Sequence, residues 1–332
     1  MKLTNGMIKT QIHDDLPFVS FIVPTYNEEK NIARCLTSIK NQDYPKDKIE
    51  VIVVDGMSED NTVNIAKNFD VRIIMNRKRI VGNAMNIGVK EAKGDIFASL
   101  GADSEIYQKD WLRQMVLPFS DPKVCGTLTD FRISKTYPPI SRCYHLMGGD
   151  PLISFVHSST NTYNKILVMT KENYYPTGAN LLRRDLVSKA GNFKAFMPRM
   201  EDVDMTYHLL RDGYKLVLVP NTYMYHLYVG NFSSYLRKTY MKILIFIECQ
   251  RFCEFSFVPD NPTSKIKLLK RMLSHIAIVG LLIRTIKGIR EDHDFSWLYY
   301  PLIVLSTLTI QFIVLTSNAK GRKLLKSFMG IK

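Results

Sequence analysis

Short, continuous apolar runs alternate with amphipathic helical patterns along the first hundred residues. The apolar runs are residues 18–24, 49–54, 71–75 and 95–100. Their mainly apolar character, interrupted only by single polar residues such as Glu50 and Arg72, is typical of strands that are buried in a parallel sheet. Between them, apolar residues recur at helical spacing, as at Ile32, Leu36 and Ile39. This alternation predicts an α/β fold with a Rossmann-like, mostly parallel sheet and flanking helices.

Three carboxylates stand together later in the chain, at Glu201, Asp202 and Asp204, ahead of an amphipathic run that stops at residues 212–213. Acidic residues in a first turn stabilise a helix through its free N–H groups and its dipole. The cluster alone therefore indicates only a helix start. A functional interpretation depends on the polar residues that follow the predicted strands, because ligands of parallel sheets bind beyond the strands' carboxyl ends.

The pattern changes after residue 230. Residues 235–247 run from amphipathic to apolar, as in a helix that lies in the headgroup plane of a membrane. Residues 297–316 are uncharged and have about the length of a bilayer span, with Trp297 at one end. Residues 272–283 reach only half that length, unless the charged residues that follow snorkel to the surface. The two runs predict a transmembrane hairpin.

Composition and charge agree with a folded, membrane-associated protein. Apolar residues make up 46% and aromatic residues 11% of the 332 residues, which excludes a mainly disordered chain. The net charge is +14, and residues 261–332 contribute 12 Lys+Arg against 3 Asp+Glu. Because these basic residues bracket apolar runs, they favour anionic lipid headgroups as partners, and no nucleic-acid-binding pattern competes.

The five cysteines and the N-terminus bear on the compartment. The cysteines have no metal-binding spacing, and their scattered positions favour a reducing environment. The N-terminal residues are polar and lack the apolar core of a secretory leader, so residues 1–17 are expected to form an arm.

Six motifs follow one another in a fixed order between residues 19 and 228. They are PTYNE at 24–28, VDGMSEDNT at 54–62, NIG at 86–88 with AKGD at 92–95, GAD at 101–103, ED at 201–202, and His226. In their order and intervals they resemble glycosyltransferase family 2. The resemblance implies a GT-A-type fold and transfer of a sugar from a nucleotide-sugar donor, a UDP- or GDP-sugar.

By this resemblance, the loop after the first strand and the carboxylate after the second hold the nucleoside. A carboxylate is an acceptor only, so Asp55 would select a base edge that presents N–H groups. The expected nucleotide-sugar-binding residues are Pro24, Tyr26, Glu28, Asp55, Asn86, Ala102 and Asp103. One of the cations at residues 77–79 could meet the diphosphate, and the sequence does not select which. Gly88 has the alternative role of allowing close helix–sheet packing.

The resemblance also implies a divalent cation, Mn²⁺ or Mg²⁺, with Asp103 and His226 as its ligands. Such ions take carboxylate and phosphate oxygens, and an imidazole ligand suits Mn²⁺ better than Mg²⁺. This chain departs from the family's Asp-X-Asp pattern, because Gly101 stands where the first Asp belongs. That change puts ribose contact and metal affinity in question.

Asp202 is the expected catalytic base, and Glu201 orients it or caps the helix. A carboxylate that takes the proton of an acceptor hydroxyl, opposite the departing diphosphate, gives inversion at the sugar. If the acceptor is a lipid phosphate, its oxygen is already largely ionised, and Asp202 would position it instead. Arg237 and Lys238 are candidates for an acceptor phosphate, and residues 131–177 are expected to shape the acceptor site.

The sequence thus predicts an inverting glycosyltransferase at the cell membrane that acts on a polyprenyl phosphate, a lipid-linked glycan or a glycolipid. Its predicted parts are an arm (1–17), a GT-A domain (18–230), interfacial helices with a linker (231–271), a transmembrane hairpin (272–316) and a basic cytoplasmic tail (317–332). The basic flanks of the hairpin place the catalytic domain on the cytoplasmic face. The alternatives are a polysaccharide synthase component, disfavoured by the absence of a Gln-x-x-Arg-Trp motif, and a catalytically silent nucleotide-binding scaffold.

Overall fold

The computed structural model describes residues 16–147, 167–171, 179–195, 201–249 and 278–322. The chain divides into two compact units. The first consists of Met1–Asp130, Lys165–Phe196 and Glu201–Met224, and the second of Phe131–Asn164, Met197–Met200 and Tyr225–Lys332. Most of the predicted arm, much of the predicted acceptor region and the predicted linker lie outside the described residues.

One sheet runs through the described part of the chain. Its nine strands are β1 (Val19–Thr25), β2 (Ile49–Asp55), β3 (Arg72–Met75), β4 (Ile96–Ser99), β5 (Ser104–Ile106), β6 (Val124–Arg132), β7 (Leu167–Met169), β8 (Leu181–Arg183) and β9 (Lys215–His226). Their order is β3-β2-β1-β4-β8-β6-β9-β5, with β7 paired to β9.

The parallel half of the sheet is the predicted one. Strand β1 pairs in parallel with β2 from Val19 to Thr25 and with β4 from Val19 to Ile22, and β2 pairs in parallel with β3. Pro24 lies beyond the β1–β4 pairing, so its missing N–H costs no ladder hydrogen bond on that side. The buried runs therefore form neighbouring strands whose carboxyl ends share one edge.

The other half of the sheet is antiparallel, and the apolar pattern did not anticipate it. Strand β8 pairs antiparallel with both β4 and β6, and β7 pairs antiparallel with β9. Strand β9 runs from Lys215 to His226, although Asn221 within it has a positive φ of 60°. The sheet is therefore mixed.

Helices cover the sheet in the first unit. They are α1 (Ile32–Lys40), α2 (Thr62–Ala66), α3 (Val81–Glu91), α4 (Trp111–Val116), α6 (Arg184–Lys189) and α7 (Glu201–Arg211), while α5 (Pro139–Leu146) belongs to the second unit. Helix α3 packs closely on β1, because a Cβ at Gly88 would lie 2.3 Å from Ile22 Cγ2. The alternative role of Gly88 as a packing glycine is thereby confirmed.

The second unit is helical in its described part. Its remaining helices are α8 (Phe232–Cys249), α9 (Ile278–Asp292) and α10 (Tyr300–Ser317). Tyr235 on α8 donates a hydrogen bond to the carbonyl of Ile303 on α10, at 3.1 Å, and also contacts Thr307. The α9–α10 corner is tight, since Trp297 packs directly on Gly288 and its Nε1 donates to Asp292 Oδ2 at 2.7 Å.

Residues Phe295–Ser317, which include α10, are long and apolar enough to cross a membrane, the one such segment among the described residues. One face of α10 is buried, with Ile303, Val304 and Val314 nearly inaccessible. The opposite face is equally apolar yet open, and Phe312 is 69% exposed. An exposed face this apolar is unusual for a helix in contact with water.

The described cysteines Cys35, Cys125 and Cys143 are all buried and unpaired by disulfides. Burial raises the pKa of the Cys125 and Cys143 thiols to about 12, and it raises the pKa of Cys35 as well. These cysteines are packing residues, in agreement with the absence of a metal-binding spacing.

Candidate active site

Three loops at the carboxyl edge of β1, β2 and β3 each contain a residue in the left-handed region. Asn27 follows β1 with φ 54°, Met57 follows β2 with φ 62°, and Arg79 follows β3 with φ 56°. Non-glycine residues rarely adopt this conformation, and such strain is concentrated at ligand sites. Because the three strands are parallel neighbours, the strained residues mark one edge of the sheet.

Hydrogen bonds join the first two of these loops. The Asn27 N–H donates to Ser58 Oγ at 2.9 Å, and the Glu59 N–H donates to Asn27 Oδ1 at 2.9 Å. The Glu28 N–H donates to Thr62 Oγ1 at 2.7 Å, so the predicted binding loop is fixed to the start of α2. The loops are therefore preorganised around each other.

Asp55 lies at the end of β2 and is fully buried. Its two carboxylate oxygens accept hydrogen bonds from the Ser58 N–H, at 2.8 Å, and from Ser58 Oγ, at 2.6 Å. Ser58 thus fixes the orientation of the Asp55 carboxylate, which is predicted to recognise the nucleobase of the donor. Each oxygen retains a second lone pair, so this geometry is compatible with a further donor from a ligand.

Arg79 is the cation of residues 77–79 that reaches over the binding loop. Its guanidinium lies 5.2 Å from the ring centroid of Tyr26, within cation–π range, and donates to the Tyr26 hydroxyl at 3.3 Å. It also pairs with Glu59 at 3.0 Å. Tyr26 is 45% exposed, so its ring is open to a ligand. The sequence contains three adjacent cations at residues 77–79, and only the conformation of the loop shows which of them reaches the binding loop.

Asp103 lies in the turn between β4 and β5, with Gly101 and Cys35 as neighbours. A Cβ at Gly101 would fall 2.8 Å from Asp103 Oδ1, so the carboxylate lies over the position of the missing side chain. The buried Cys35 thiol approaches the Gly101 carbonyl at 3.7 Å. Ala102, between them, is buried.

The donor atoms around Asp103 bear on the implied cation. Among the described residues, no group of three or more His, Cys, Asp or Glu side chains forms a metal-binding cluster. This excludes a cage built from the described side chains alone. A carboxylate oxygen such as those of Asp103 is a donor that Mg²⁺ and Mn²⁺ both accept.

His226 ends β9 and belongs to the second unit. Its ring lies 4.4 Å from that of Tyr228 and 5.6 Å from that of Phe131, measured between centroids. His145 contacts Tyr228 as well. The pKa of His145 is lowered to about 4, mainly by burial and to a smaller extent by the neighbouring His226. The role of His226 as a metal ligand stays a prediction.

The carboxylate cluster forms the first turn of α7. Glu201 and Asp204 are buried, whereas Asp202 is half-buried and therefore open on one side. Burial raises the pKa of Asp202, although Oδ1 accepts a hydrogen bond from the Val203 N–H at 2.8 Å. A partly desolvated carboxylate with a raised pKa is a stronger base than a solvated one.

Helix α3 positions this turn through Gly82 and Asn86. A Cβ at Gly82 would meet the Lys194 carbonyl at 3.1 Å and Glu201 Cβ at 3.4 Å, so α3 lies flush against the start of α7. Asn86 donates to the Phe193 carbonyl and accepts from the Phe193 N–H, both at 2.8 Å. Asn86 therefore holds the segment that leads to the carboxylates, and its predicted contact with the donor remains untested.

The two candidate phosphate-binding residues lie on α8 in the second unit. Arg237 is exposed, while Lys238 is half-buried and donates to the Tyr228 carbonyl at 2.8 Å. One turn later, Lys242 donates to the Tyr144 hydroxyl at 2.6 Å. The sequence did not single out Lys242, whose signal is only its spacing of four residues from Lys238.

A sequence profile described as Glycosyl transferase family 2 matches residues 20–191, more than half of the chain. The chain belongs to this family and is a glycosyltransferase. It is 33% identical over 207 residues to the glycosyltransferase AglE of Haloferax volcanii, a match that covers 60% of this chain and 64% of that protein, just under two thirds. It is 27% identical over 318 residues to a dolichyl N-acetyl-alpha-D-glucosaminyl phosphate 3-beta-D-2,3-diacetamido-2,3-dideoxy-beta-D-glucuronosyltransferase of Methanococcus voltae, covering 89% of this chain and 84% of that protein.

Solved structures confirm the fold. The mannosyltransferase PcManGT from Pyrobaculum calidifontis, in complex with GDP-Man and Mn²⁺, superposes with a TM-score of 0.57 at 19% identity. The match covers 89% of this chain and 87% of that one. Residues 1–349 of Staphylococcus aureus TarS with UDP-GlcNAc give a TM-score of 0.50 at 18% identity, covering 90% and 92%. The predicted GT-A-type α/β fold is therefore correct.

Proposed function

We propose that this chain transfers one sugar, with inversion, from a nucleoside-diphosphate sugar to a membrane-associated acceptor. The acceptor class is a polyprenyl phosphate, a lipid-linked glycan or another glycolipid. The observation that carries the proposal is the half-buried Asp202, whose pKa is raised, at the start of a helix packed against α3. Helix α3 in turn begins directly after the Arg79 loop of the donor site.

The donor occupies the loops after β1, β2 and β3. Asp55 accepts N–H groups of the base, Tyr26 offers an exposed aromatic face, and Arg79 supplies positive charge beside it. Pro24 and Glu28 shape the first of these loops, and Ala102 and Asp103 follow on the next strand. Support for a UDP- or GDP-sugar comes from the ligands named for the two structural neighbours, GDP-Man and UDP-GlcNAc.

The chemistry is a single displacement at the anomeric carbon. The acceptor oxygen forms a bond to that carbon as the bond to the diphosphate oxygen breaks, and the electron pair leaves with the diphosphate. The acceptor hydroxyl gives its proton to an Asp202 oxygen, and Glu201 supports the turn that carries it. With an ionised phosphate acceptor, Asp202 loses this task and only positions the nucleophile.

Asp103, with His226 as a second candidate, would hold a divalent cation together with donor phosphates. Mn²⁺ or Mg²⁺ bound there would neutralise charge that develops on the departing diphosphate. A carboxylate oxygen suits both ions, and Gly101 removes one further oxygen donor that the family pattern provides. The Mn²⁺ named for the Pyrobaculum neighbour supports a divalent ion.

The acceptor is proposed to be membrane-bound because α10 exposes an apolar face as hydrophobic as its buried one. The name of the Methanococcus voltae relative includes a dolichyl-linked phosphate substrate, which supports the same class. Arg237 and Lys238 on α8 are the proposed contacts for an acceptor phosphate. The catalytic unit is proposed to lie at the cytoplasmic face of the cell membrane.

Radiolabelled nucleotide sugars offered to the detergent-purified protein with host lipid extract test this function. UDP-GlcNAc and GDP-mannose head the panel, each with and without MnCl₂. Label that moves into the organic phase, and that requires the metal, is the expected result. Label that appears only in free sugar, or in water-soluble polymer, would refute a membrane acceptor while leaving the glycosyltransferase class intact.

A further inference from the structure

An ion pair with one buried partner stands in the turn that carries the proposed base. The Asp204 side chain is 3% exposed, and Lys194 Nζ lies 3.0 Å from its Oδ1. Its other oxygen is 3.5 Å from His208 Nε2. Lys194 Nζ also lies 3.2 Å from that nitrogen, and since an ammonium only donates, the imidazole nitrogen accepts. Lys194 is therefore the ion-pair partner of Asp204 in the described part of the chain, and His208 is a neutral neighbour of both.

Lys194 is fixed from two sides. The residue before it, Phe193, has both backbone groups bound by Asn86 of α3. The Lys194 carbonyl lies 3.1 Å from the Cβ position of Gly82, so the backbone of Lys194 packs against the same helix. Its side chain reaches Asp204 on α7. Lys194 therefore links the two helices, because its backbone lies against α3 and its side chain pairs with Asp204 of α7.

The elements next to Asp204 carry several other charged groups. On α6, Asp185 and Lys189 pair with each other at 2.9 Å. On α3, Lys90 and Glu91 stand at the far end of the helix, where Glu91 pairs with Arg72 at 3.8 Å. The remaining groups are Arg184 at the start of α6 and the carboxylates Glu201 and Asp202 of α7 itself. Lys194 is the cation that pairs with Asp204 in this turn.

We propose that Lys194 is a positioning residue for sugar transfer. Its ion pair with Asp204 holds the first turn of α7 against α3 and cancels the charge of Asp204, which keeps the neighbouring Asp202 ionised. The inference rests on the proposed role of Asp202 as the base.

The physical reason is the proximity of two carboxylates in a poorly solvated place. Residues two apart in a chain have Cα atoms within about 7 Å, and on a helix their side chains leave different faces, so the two charges interact across the turn and not in contact. An uncompensated negative charge at that range raises the pKa of a neighbouring carboxyl, and the effect is larger where water is excluded. Burial already raises the pKa of Asp202. Without the Lys194 cation, the base would be protonated at a pH where it now works.

Four variants separate this charge effect from simple packing: Lys194→Met, Lys194→Arg, Asp204→Asn and the double variant Lys194→Met/Asp204→Asn. The rate of nucleoside diphosphate release is measured from pH 5 to 9 with UDP-GlcNAc or GDP-mannose and detergent-dispersed dolichyl phosphate bearing N-acetylglucosamine. We expect Lys194→Met to move the acid limb of the profile up by about one pH unit. On the acid side of the profile its kcat should fall by up to about tenfold, with the donor KM changed less than twofold.

The other variants decide the cause. Lys194→Arg should restore the acid limb, and so should the double variant, because it removes the unpaired charge together with its partner. A structural role alone predicts that the double variant is at least as impaired as Lys194→Met. An unmoved limb in Lys194→Met, or a double variant as displaced as the single one, overturns the inference.

Thermal unfolding gives a readout that needs no turnover. In Lys194→Met, Asp204 is buried without its cation, so its charged form opposes folding at neutral pH. The midpoint should therefore lie below that of the double variant at pH 7.5, and the difference should vanish as the pH falls. Equal midpoints at pH 7.5 contradict the proposal. If Asp202→Asn keeps the wild-type rate, the base role fails by itself, while these midpoints still report on the ion pair.

Discussion

At the scale of single residues, Asp202 meets two opposing requirements. Its chemistry needs an ionised carboxylate, and its partly buried position raises its pKa. We predict that Asp202→Asn lowers the transfer rate to a hydroxyl acceptor by about 10²-fold or more, because the amide cannot take a proton. Donor affinity, measured by calorimetry, should change less than twofold. A wild-type rate would remove the base role, and a small decrease would indicate a phosphate acceptor.

The same substitution should act on stability in the other direction. A carboxyl whose pKa is raised by folding binds its proton more tightly in the folded state, so its charge opposes folding at neutral pH. That penalty fades as the pH falls toward the unfolded pKa. Asp202→Asn is therefore expected to raise the unfolding midpoint at pH 7.5 and to lose this advantage near pH 4. A midpoint below wild type at pH 7.5 would contradict the predicted sign.

The dependence of turnover on a divalent metal is predicted to require Asp103. Asp103→Asn keeps the shape of the side chain but removes its charge, and loss of one charge-stabilising group commonly costs about 3 kcal/mol of barrier. We expect turnover to fall about 10²-fold and the Mn²⁺ requirement to shift to higher concentration. Asp43→Asn, at an exposed carboxylate outside the site, is the matched control. Unchanged turnover with unchanged metal dependence would exclude Asp103 as the ligand.

Site residues that belong to a sequence motif could be predicted. Those whose role depends on the conformation of a loop or on a tertiary contact could not. Asp103 and Asp202 stand in motifs whose residue types suit their chemistry. The choice of Arg79 over its neighbours depends on a positive φ, and the ion pair of Lys194 with Asp204 joins residues ten apart in the chain. Neither leaves a periodic signal in the sequence.

At the scale of elements, the contact of α3 with β1 links packing to the site. Gly88→Ala would place a methyl group 2.3 Å from Ile22 Cγ2, too close without movement of the helix. Overpacking of this kind typically costs about 1–3 kcal/mol, although Ala is otherwise the better helix former by about 1 kcal/mol. We expect a lower unfolding midpoint and a lower kcat, because α3 also carries Gly82 and Asn86.

A matched substitution is available at Gly230, where a Cβ would meet nothing within 4 Å. Gly230→Ala should leave both the unfolding midpoint and kcat near wild type. If Gly88→Ala behaves like Gly230→Ala, the close packing of α3 does not hold the site.

The elements themselves were predicted unevenly, for a physical reason. Strands β1, β2 and β4 are largely buried, and they read as mainly apolar runs. Strand β3 lies at the edge of the sheet with both of its ends exposed, but its run is apolar enough to be found from sequence. Strands β5, β7 and β8 have three residues each, too few for any period to emerge. Their partners are set by tertiary contact, so the antiparallel half of the sheet could not be derived from local pattern.

At the scale of the whole molecule, membrane topology remains the main prediction. Basic residues precede the first apolar run and follow the second, so a hairpin would return the C-terminus to the cytoplasmic side. Helix α9 carries Arg284, Lys287 and Arg290, and residues 272–277 lie outside the described part of the chain. Among the described residues, the segment Phe295–Ser317, which includes α10, is the one long and apolar enough to span a membrane. The crossing of the first run is a prediction.

We predict that the turn after α9 faces outward. A cysteine in place of the exposed Glu291 tests this, and it is preferable to one at Asp292, whose carboxylate holds Trp297. An impermeant maleimide should label Glu291→Cys in intact cells and label Lys40→Cys, on the catalytic unit, only after permeabilisation. Absence of labelling at position 291 before permeabilisation would replace the hairpin with a surface-bound helix.

The buried thiols give this chain an experimental convenience. Maleimides and alkylating agents react with thiolates, and a thiol with a pKa near 12 supplies almost none at neutral pH. Cys35, Cys125 and Cys143 are also closed to solvent, so they should remain silent toward these reagents. Only Cys249 and Cys253 then need replacement before introduced cysteines, spin labels or fluorophores report from chosen positions without disturbing the core.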